Sequence, residues 1–169
     1  KNRRRRILGG RRMIVLTRVD HRLLHGQVAF SWTQTIGADC ILIASNTLVE
    51  DPLRMSAMKM AKPSGVKLVM KTIDDSIKAL NSGVTDKYKL FILCESVADM
   101  YQLVKEVPTI KEVNLGGMKN GETRKQISKA VHLSETDIAQ IKELTNEGIE
   151  LTVQLVPDDQ KVAINKLLN

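Results

Sequence analysis

The chain has 169 residues and a mass of 18.9 kDa, with 43% hydrophobic and 27% charged residues and a formal net charge of +7. This length favours one domain with a sizeable core, and the composition excludes a disordered or fibrous protein. No apolar run approaches the roughly 20 residues of a membrane-spanning helix, which excludes an integral membrane protein. Cys40 and Cys94 lie inside apolar runs, which predicts buried thiols in a reducing compartment.

The excess positive charge lies at the start of the chain. Residues 1–12, KNRRRRILGGRR, hold seven basic side chains and no acidic one, and the remaining residues carry 19 basic and 19 acidic side chains. We expect this segment to be a disordered basic leader or an expression extension, and residues 13–169 to form a single domain. An arm that binds nucleic acid or anionic lipid is the alternative, because clustered arginines bind phosphate groups. For the balanced remainder of the chain we expect no nucleic-acid partner.

After this segment, short apolar runs alternate with amphipathic stretches. Each run has four to eight residues, few internal charges and many leucine or β-branched side chains, which is typical of strands buried on both faces. In chain order the runs are MIVLT (13–17), CILIA (40–44), VKLVM (66–70), KLFILC (89–94), EVNLG (112–116), AVHL (130–133) and IELTVQLV (149–156).

The stretches between the runs have helical spacing, and several carry start and stop signals. Asp51 and Pro52 suit the first positions of one helix, and Ser134 with Asp137 resembles a capping box. Gly83 suits the end of another helix. One predicted helix follows His25, and the others cover residues 51–61, 72–82, 96–106, 134–147 and 158–168. This alternation predicts an α/β fold, a three-layer α/β/α sandwich with a mainly parallel, doubly wound sheet.

The loop after the first run, R18-V-D-H-R-L-L-H-G-Q-V28, concentrates the polar chemistry of the chain. In doubly wound sheets, ligands bind beyond the carboxyl ends of the strands, where this loop lies. His21 and His25 are four residues apart, as in some zinc sites, but no carboxylate lies between them and Arg22 would repel a dication. We therefore expect no metal and no other cofactor. A histidine-activated nucleophile stays open, with Ser31 or Ser45 as its candidate.

Phosphoryl transfer fits the composition of this loop best. The imidazole of His25 is nucleophilic near neutral pH, and phosphorylation would bring roughly two negative charges, which Arg22 and Arg18 could neutralise. Asp20 could hold the imidazole tautomer or orient Arg22. The alternative is structural: His25 would be a residue at a helix start and Arg22 a solvated side chain.

The stretch TRVDHRLLHGQVAFSW resembles the active-site segment of a bacterial family. The family is that of the IIB components of the phosphoenolpyruvate-dependent sugar phosphotransferase system, mannose/fructose/sorbose class, which reads R-[IV]-D-x-R-L-[IL]-H-G-Q-V with a tryptophan a few residues later, matched by Trp32. The stretch N-L-G-G-M at 114–118 and G-I-E-L at 148–151 also match the family pattern. The resemblance runs from Met13 to the end of the chain.

The resemblance implies a function and a fold. His25 would be the phosphorylated histidine, Arg22 the phosphate-stabilising arginine and Asp20 the loop aspartate; His21 departs from the pattern, which often has a second aspartate there. The reaction class would be protein-N(pi)-phosphohistidine–sugar phosphotransferase, although the residues alone do not fix which ring nitrogen reacts or which sugar is carried. The fold would be a three-layer α/β/α sandwich.

Partners also follow from the resemblance. A phosphorylated IIA component would donate the phosphoryl group to His25, and the acceptor would be a sugar bound by the membrane IIC and IID components. The protein would be cytoplasmic, associated peripherally with the membrane through IIC and IID, and a homodimer is possible. The alternative is a non-catalytic, flavodoxin-like module that binds a phosphorylated ligand.

Other residues are predicted to surround the phosphate. Backbone amides at Gly26 and Gln27, at the helix start, point toward an anion there. Gly116 and Gly117 could let the backbone approach the phosphate, or could serve only a tight turn. Ser45, at the end of the second run, could line the site. Because both donor and acceptor must reach it, we expect an exposed His25 in a shallow depression ringed by apolar residues.

Overall fold

The structure, a computed structural model, describes residues 14–168, so the expectation for residues 1–12 lies outside the described residues. Its strands and helices alternate as the hydrophobic pattern predicts. The strands are β1 (Ile14–Asp20), β2 (Cys40–Ala44), β3 (Lys67–Lys71), β4 (Leu90–Cys94), β5 (Glu112–Gly117), β6 (Lys125–Gln126), β7 (His132–Leu133), β8 (Glu150–Val153) and β9 (Val162–Ala163). The helices are α1 (Gly26–Ile36), α2 (Pro52–Ala61), α3 (Ile73–Ser82), α4 (Val97–Glu106) and α5 (Glu135–Asn146), with 3₁₀ turns at Leu48–Glu50 and Ile164–Lys166.

Seven strands form the main sheet, in the order β3-β2-β4-β1-β5-β8-β9. All neighbours in it are parallel except β8 and β9, which are antiparallel. The central strands β2 and β4 are buried along their whole length, as their unbroken apolar runs predict. The mainly parallel α/β fold is therefore confirmed.

Helices cover both faces of this sheet. Side chains of α1 and α2 pack with one apolar cluster, and side chains of α3, α4 and α5 pack with a second, larger cluster on the other face. The predicted caps form: Asp51 accepts a hydrogen bond from Arg54 N, and Ser134 and Asp137 make a reciprocal capping box. The result is the predicted three-layer sandwich.

The strand order determines where a ligand can bind. From β1 the chain crosses toward β2 on one side, whereas from its neighbour β5 it crosses toward β8 on the other side. A crevice opens beyond the carboxyl ends of two adjacent parallel strands whose connections leave in opposite directions. The loop that follows Asp20 and the segment that follows Gly117 both lie at this point.

Two predicted elements are wrong. The run 130–133 does not join the main sheet: only two of its residues are extended before Ser134 caps α5, and they pair locally with β6. The predicted helix 158–168 is absent; Val162–Ala163 pairs with the open edge of β8, and only a 3₁₀ turn follows. Hydrogen bonding at a free sheet edge outweighs a weak helical pattern there. Within residues 14–168, no helix has both the length and the apolar character needed to cross a bilayer.

Candidate active site

The loop between β1 and α1 is built around a tight turn. The amide of Leu23 donates to the carbonyl of Asp20 at 2.9 Å, and Leu23 has a φ of +58°, which is unusual for a residue other than glycine. Leu23 and Leu24 are buried, so apolar packing compensates for this backbone conformation. After the turn the chain enters α1 with His25 as the N-cap residue.

Asp20 is the centre of the site. Its side chain is inaccessible to solvent, and its two oxygens face different partners. Oδ1 accepts a hydrogen bond from the amide of Arg22 at 3.0 Å and lies 3.5 Å from Nε of the same residue. Oδ2 lies 3.1 Å from Nη2 of Arg18 and 3.1 Å from Nε2 of His25. Asp20 thus links the exposed loop to a buried cation.

The pKa of Asp20 reflects this environment. Burial by itself raises the pKa of a carboxyl group, but the hydrogen bonds from His25 and from the amide of Arg22, together with the charge of Arg18, act more strongly and lower it to about 2. The carboxylate is therefore ionised above about pH 4, where it offers Nε2 of His25 a negatively charged hydrogen-bond acceptor.

Arg18 is fully buried, and its guanidinium is held from several sides. Nη1 donates to Asn114 Oδ1 at 2.5 Å and to the carbonyl of Gln154 at 3.0 Å, while Nη2 donates to Asp20 and to the carbonyl of Leu155 at 2.9 Å. The guanidinium also lies 5.2 Å from the centre of the Trp32 ring. These contacts tie β1 to β5 and to the segment after β8. Arg18 thus positions Asp20, whereas we predicted it to bind phosphate directly.

Gly116 leaves open the space that the guanidinium of Arg18 occupies. A Cβ at this position would lie 2.1 Å from Cζ of Arg18, far inside van der Waals contact. At Gly117 the nearest atom to such a Cβ would be Oδ1 of Asp20, at 3.4 Å. The structure therefore gives Gly116 a packing role that the sequence analysis did not foresee. Gly117 borders the loop directly, since its carbonyl accepts the amide of His21 at 2.9 Å.

His25 occupies the rim of this arrangement. Its side chain is 23% exposed, so it is reachable but only partly open, less so than we expected. Because Nε2 lies 3.1 Å from an ionised carboxylate, this geometry favours the neutral tautomer with the proton on Nε2 and the lone pair on Nδ1. Arg22, whose Nε contacts the same carboxylate through Oδ1, has 46% of its side chain exposed. Gly26 and Gln27, in the first turn of α1, are exposed at the same rim.

Ser45 is placed apart from these residues. It follows β2, which β4 separates from β1, and it is buried with its hydroxyl donating to Glu95 Oε1 at 2.6 Å. Thr47 and Arg54 bind the same carboxylate. Burial raises the pKa of Glu95, but these hydrogen bonds and the charge of Arg54 lower it overall. The sequence analysis missed Glu95, although its position directly after an apolar run was the signal that would have found it.

The site therefore brings together Asp20, Arg22 and His25 with the α1 N-terminus and Gly117, and anchors them on Arg18. In residues 14–168, no group of three or more His, Cys, Asp or Glu side chains is arranged to hold a metal ion. A nucleophilic ring nitrogen, an exposed arginine on the same carboxylate and helix-start amides can accept and stabilise a phosphoryl group.

Comparisons with known proteins identify the family of the chain. The family model of the sorbose subfamily IIB component of the PTS, the phosphotransferase system, matches residues 14–169. The chain belongs to this family. It is thus a phosphotransferase component, one that accepts a phosphoryl group from a IIA component and passes it on to a sugar.

Individual relatives cover nearly the whole chain. The N-acetylgalactosamine-specific phosphotransferase enzyme IIB component 2 of Escherichia coli K12 is 34% identical over 155 residues, which cover 92% of this chain and 98% of that protein. The IIBSor domain of the sorbose permease from Klebsiella pneumoniae has a similar structure, with a TM-score of 0.88, 29% identity and coverage of 92% of this chain and 96% of that one.

A third relative is longer. The mannose-specific EIIAB component of E. coli K12 is 31% identical over 157 residues, which cover 93% of this chain but only 49% of that protein. Its name places a IIA and a IIB component in one polypeptide. Members of this family work with IIA components and with membrane components.

Proposed function

We propose that Nδ1 of His25 is the atom that carries the phosphoryl group. The observation that supports this most is the 3.1 Å contact between Nε2 of His25 and the buried carboxylate of Asp20. That contact occupies one ring nitrogen and keeps the proton on it, so the nucleophilic lone pair is on the other. The side chain of His25 is also accessible enough for a partner's phosphohistidine to reach it.

The first step is transfer from a phosphorylated IIA component. The bond between phosphorus and the donor's histidine nitrogen breaks as a bond between phosphorus and Nδ1 of His25 forms, and no proton needs to move at Nε2. Asp20 stabilises the positive charge that the ring gains in this step, because it accepts the Nε2 proton in a hydrogen bond. Arg22 and the amides at Gly26 and Gln27 stabilise the charge on the three phosphoryl oxygens.

The second step is transfer to a sugar. The bond between Nδ1 and phosphorus breaks, a bond from phosphorus to a sugar hydroxyl oxygen forms, and the hydroxyl proton leaves to solvent or to a base of the partner. His25 is a good leaving group because Nε2 stays protonated against Asp20 and the ring departs neutral. Arg18 acts through Asp20 and contacts neither the phosphoryl group nor the sugar.

The partners that we propose follow from this chemistry. The donor is the phosphohistidine of a IIA component, and the sugar is presented by the membrane IIC and IID components, through which the protein would associate peripherally with the cytoplasmic face of the membrane. The match to a relative that joins IIA and IIB in one chain supports the donor. We also propose that residues 13–169 act as one IIB domain, which the family match over 14–169 supports.

Phosphopeptide mapping tests the proposal. The chain is incubated with a phosphorylated IIA component, digested at alkaline pH, and the acid-labile, base-stable label is located by mass spectrometry. We expect label on His25 in the wild type and in His132→Ala, the matched control, because His132 lies on the β6–β7 hairpin with its Nδ1 against the carbonyl of Met118. We expect none in His25→Ala.

Two results would contradict the proposal. Label that persists in His25→Ala would place the acceptor elsewhere, with His21 the first candidate. Absence of covalent label in the wild type, with phosphorylated ligand bound reversibly, would favour the non-catalytic module instead.

A further inference from the structure

His21 faces the same carboxylate as His25. Nδ1 of its ring lies 4.0 Å from Oδ1 of Asp20, and Nε2 of His25 lies 3.1 Å from Oδ2. The first distance is too long for a hydrogen bond. The buried carboxylate of Asp20 thus has one imidazole near each of its two oxygens, and only that of His25 lies within hydrogen-bond distance.

The two ring nitrogens of His21 lie in different surroundings. Nδ1 is buried and has no hydrogen-bond partner within residues 14–168, although the side chain as a whole is 37% exposed. Nε2 lies on the accessible part of the ring. A lone pair on Nδ1 would face a negative oxygen, so the neutral ring carries its proton on Nδ1 and its lone pair on Nε2, toward solvent. A second proton can therefore be taken up from water without any change of conformation.

The charges around Asp20 show when such a proton is needed. Arg18, Arg22 and Asp20 together carry one net positive charge while both histidines are neutral. Phosphorylation puts roughly two negative charges on the phosphoryl oxygens and one positive charge on the ring, which keeps its Nε2 proton, so the net charge of this cluster falls by about one unit. Arg18 cannot respond, because its guanidinium donors are engaged with Asn114, Asp20 and two backbone carbonyls.

The groups that face the His21 ring allow this response. On its own loop these are Asp20 and the neighbouring Arg22; from β5 the ring meets the backbone of Gly117, whose position for a Cβ lies 3.6 Å from Nδ1 and which brings no titratable side chain. The carboxylate lies 4.0 Å from Nδ1, and an Nδ1–H faces it favourably. Protonation of Nε2 makes this attraction stronger.

We propose that His21 is a charge-compensating residue, which takes up a proton from solvent at Nε2 when His25 is phosphorylated and releases it when the phosphoryl group leaves. This inference rests on the proposed phosphorylation of His25. It makes the phosphorylated form more stable at lower pH, through a side chain that does not touch the transferred atoms.

A series of charges at position 21 tests the proposal. The equilibrium constant for phosphoryl transfer from a IIA component is measured from pH 6 to pH 8 for the wild type and for His21→Asp, His21→Asn and His21→Lys. The ratio of the wild-type constant to the Asn constant should rise more than about twofold as the pH falls from 8 to 6. His21→Lys should favour the phosphorylated form across the range, and His21→Asp should disfavour it. Lys78→Gln, an exposed charge change on α3, should follow the wild type.

A spectroscopic measurement makes the test independent of the variants. With ¹³C-labelled histidine at pH 7, the Cε1 and Cδ2 resonances of His21 should move toward their protonated positions on phosphorylation of His25, and those of His132 should not. Phosphorylated His25 with unchanged His21 resonances, or a wild-type-to-Asn ratio constant within twofold, would overturn this inference and leave the proposed function standing. Absence of label on His25 would overturn the proposed function itself.

Discussion

Replacing Gly116 by alanine would place a methyl group inside the guanidinium of Arg18. The added Cβ would lie 2.1 Å from Cζ, 2.2 Å from Nη2 and 2.4 Å from Nη1 of that side chain. Gly116 does not have the positive φ that alanine disfavours, so the backbone itself would accept the substitution. Any effect on stability therefore measures the collision with Arg18.

The magnitude follows from what Arg18 would lose. Its guanidinium donates to Asn114, to Asp20 and to the carbonyls of Gln154 and Leu155, and it cannot move aside while it keeps all four. Overpacking alone costs about 1–3 kcal/mol. Separation of a buried ion pair costs about 3–5 kcal/mol, because each charge stays away from water without its partner. We expect the second effect to dominate, with the free energy of unfolding about 3–5 kcal/mol lower.

Urea denaturation followed by far-ultraviolet circular dichroism measures this change. Gly117→Ala is the matched control: its Cβ would meet Asp20 Oδ1 only at 3.4 Å, so we expect a loss below about 1 kcal/mol. A double-mutant cycle with Arg18→Met isolates the contact. Once the guanidinium is absent, Gly116→Ala should cost much less than in the wild type. Equal losses at Gly116 and Gly117, or additive effects in the cycle, would refute this reasoning.

Three further predictions concern other groups of the core and the site. Because the pKa of Asp20, about 2, lies below the ordinary 3.8, its contribution to stability is complete above about pH 4 and is lost as the pH falls toward 2. Between pH 5 and pH 2.5, the free energy of unfolding from urea titrations should fall about 1.5 kcal/mol more in the wild type than in Asp20→Asn, and equal falls would contradict this pKa. Trp32→Phe removes the 2.9 Å hydrogen bond from Nε1 to the carbonyl of Leu155 and should cost about 1–2 kcal/mol in the same assay; a change near zero would mean that the bond contributes nothing. Burial raises the pKa of both cysteine thiols, so iodoacetamide at pH 8 should modify neither Cys40 nor Cys94 until urea unfolds the chain, and native alkylation of Cys94 detected by mass spectrometry would be inconsistent with its full burial.

The hydrophobic pattern predicted most of the fold because each central strand is buried on both faces. Runs such as CILIA at 40–44 coincide with β2, and its neighbour β4 has the same character. The pattern failed where few residues are involved. Residues 130–133 and 158–168 contribute short segments whose pairing depends on which sheet edge lies nearby, and a local pattern carries no information about that.

The chemistry of the site was also visible in the chain, since Asp20, Arg22 and His25 lie within six consecutive residues of one loop. Their types and spacing, together with the resemblance, were enough to predict a phosphohistidine relay. Ser45 shows the limit of the strand-end rule. The strand that Ser45 follows, β2, ends at the same edge of the sheet as β1, but β4 lies between them. The hydroxyl of Ser45 donates its hydrogen bond to Glu95 instead of facing the loop.

The sequence by itself predicted the layered α/β architecture and the candidate loop, because these depend on neighbours along the chain, and the family resemblance added the class of reaction. Only the tertiary structure decided that Arg18 is a buried support for Asp20 and that Gly116 makes room for it. These depend on residues about 100 positions apart meeting within hydrogen-bond distance, as Arg18 and Asn114 do. Directional contacts between distant segments are set by the packing of the whole sheet, and no local pattern encodes them.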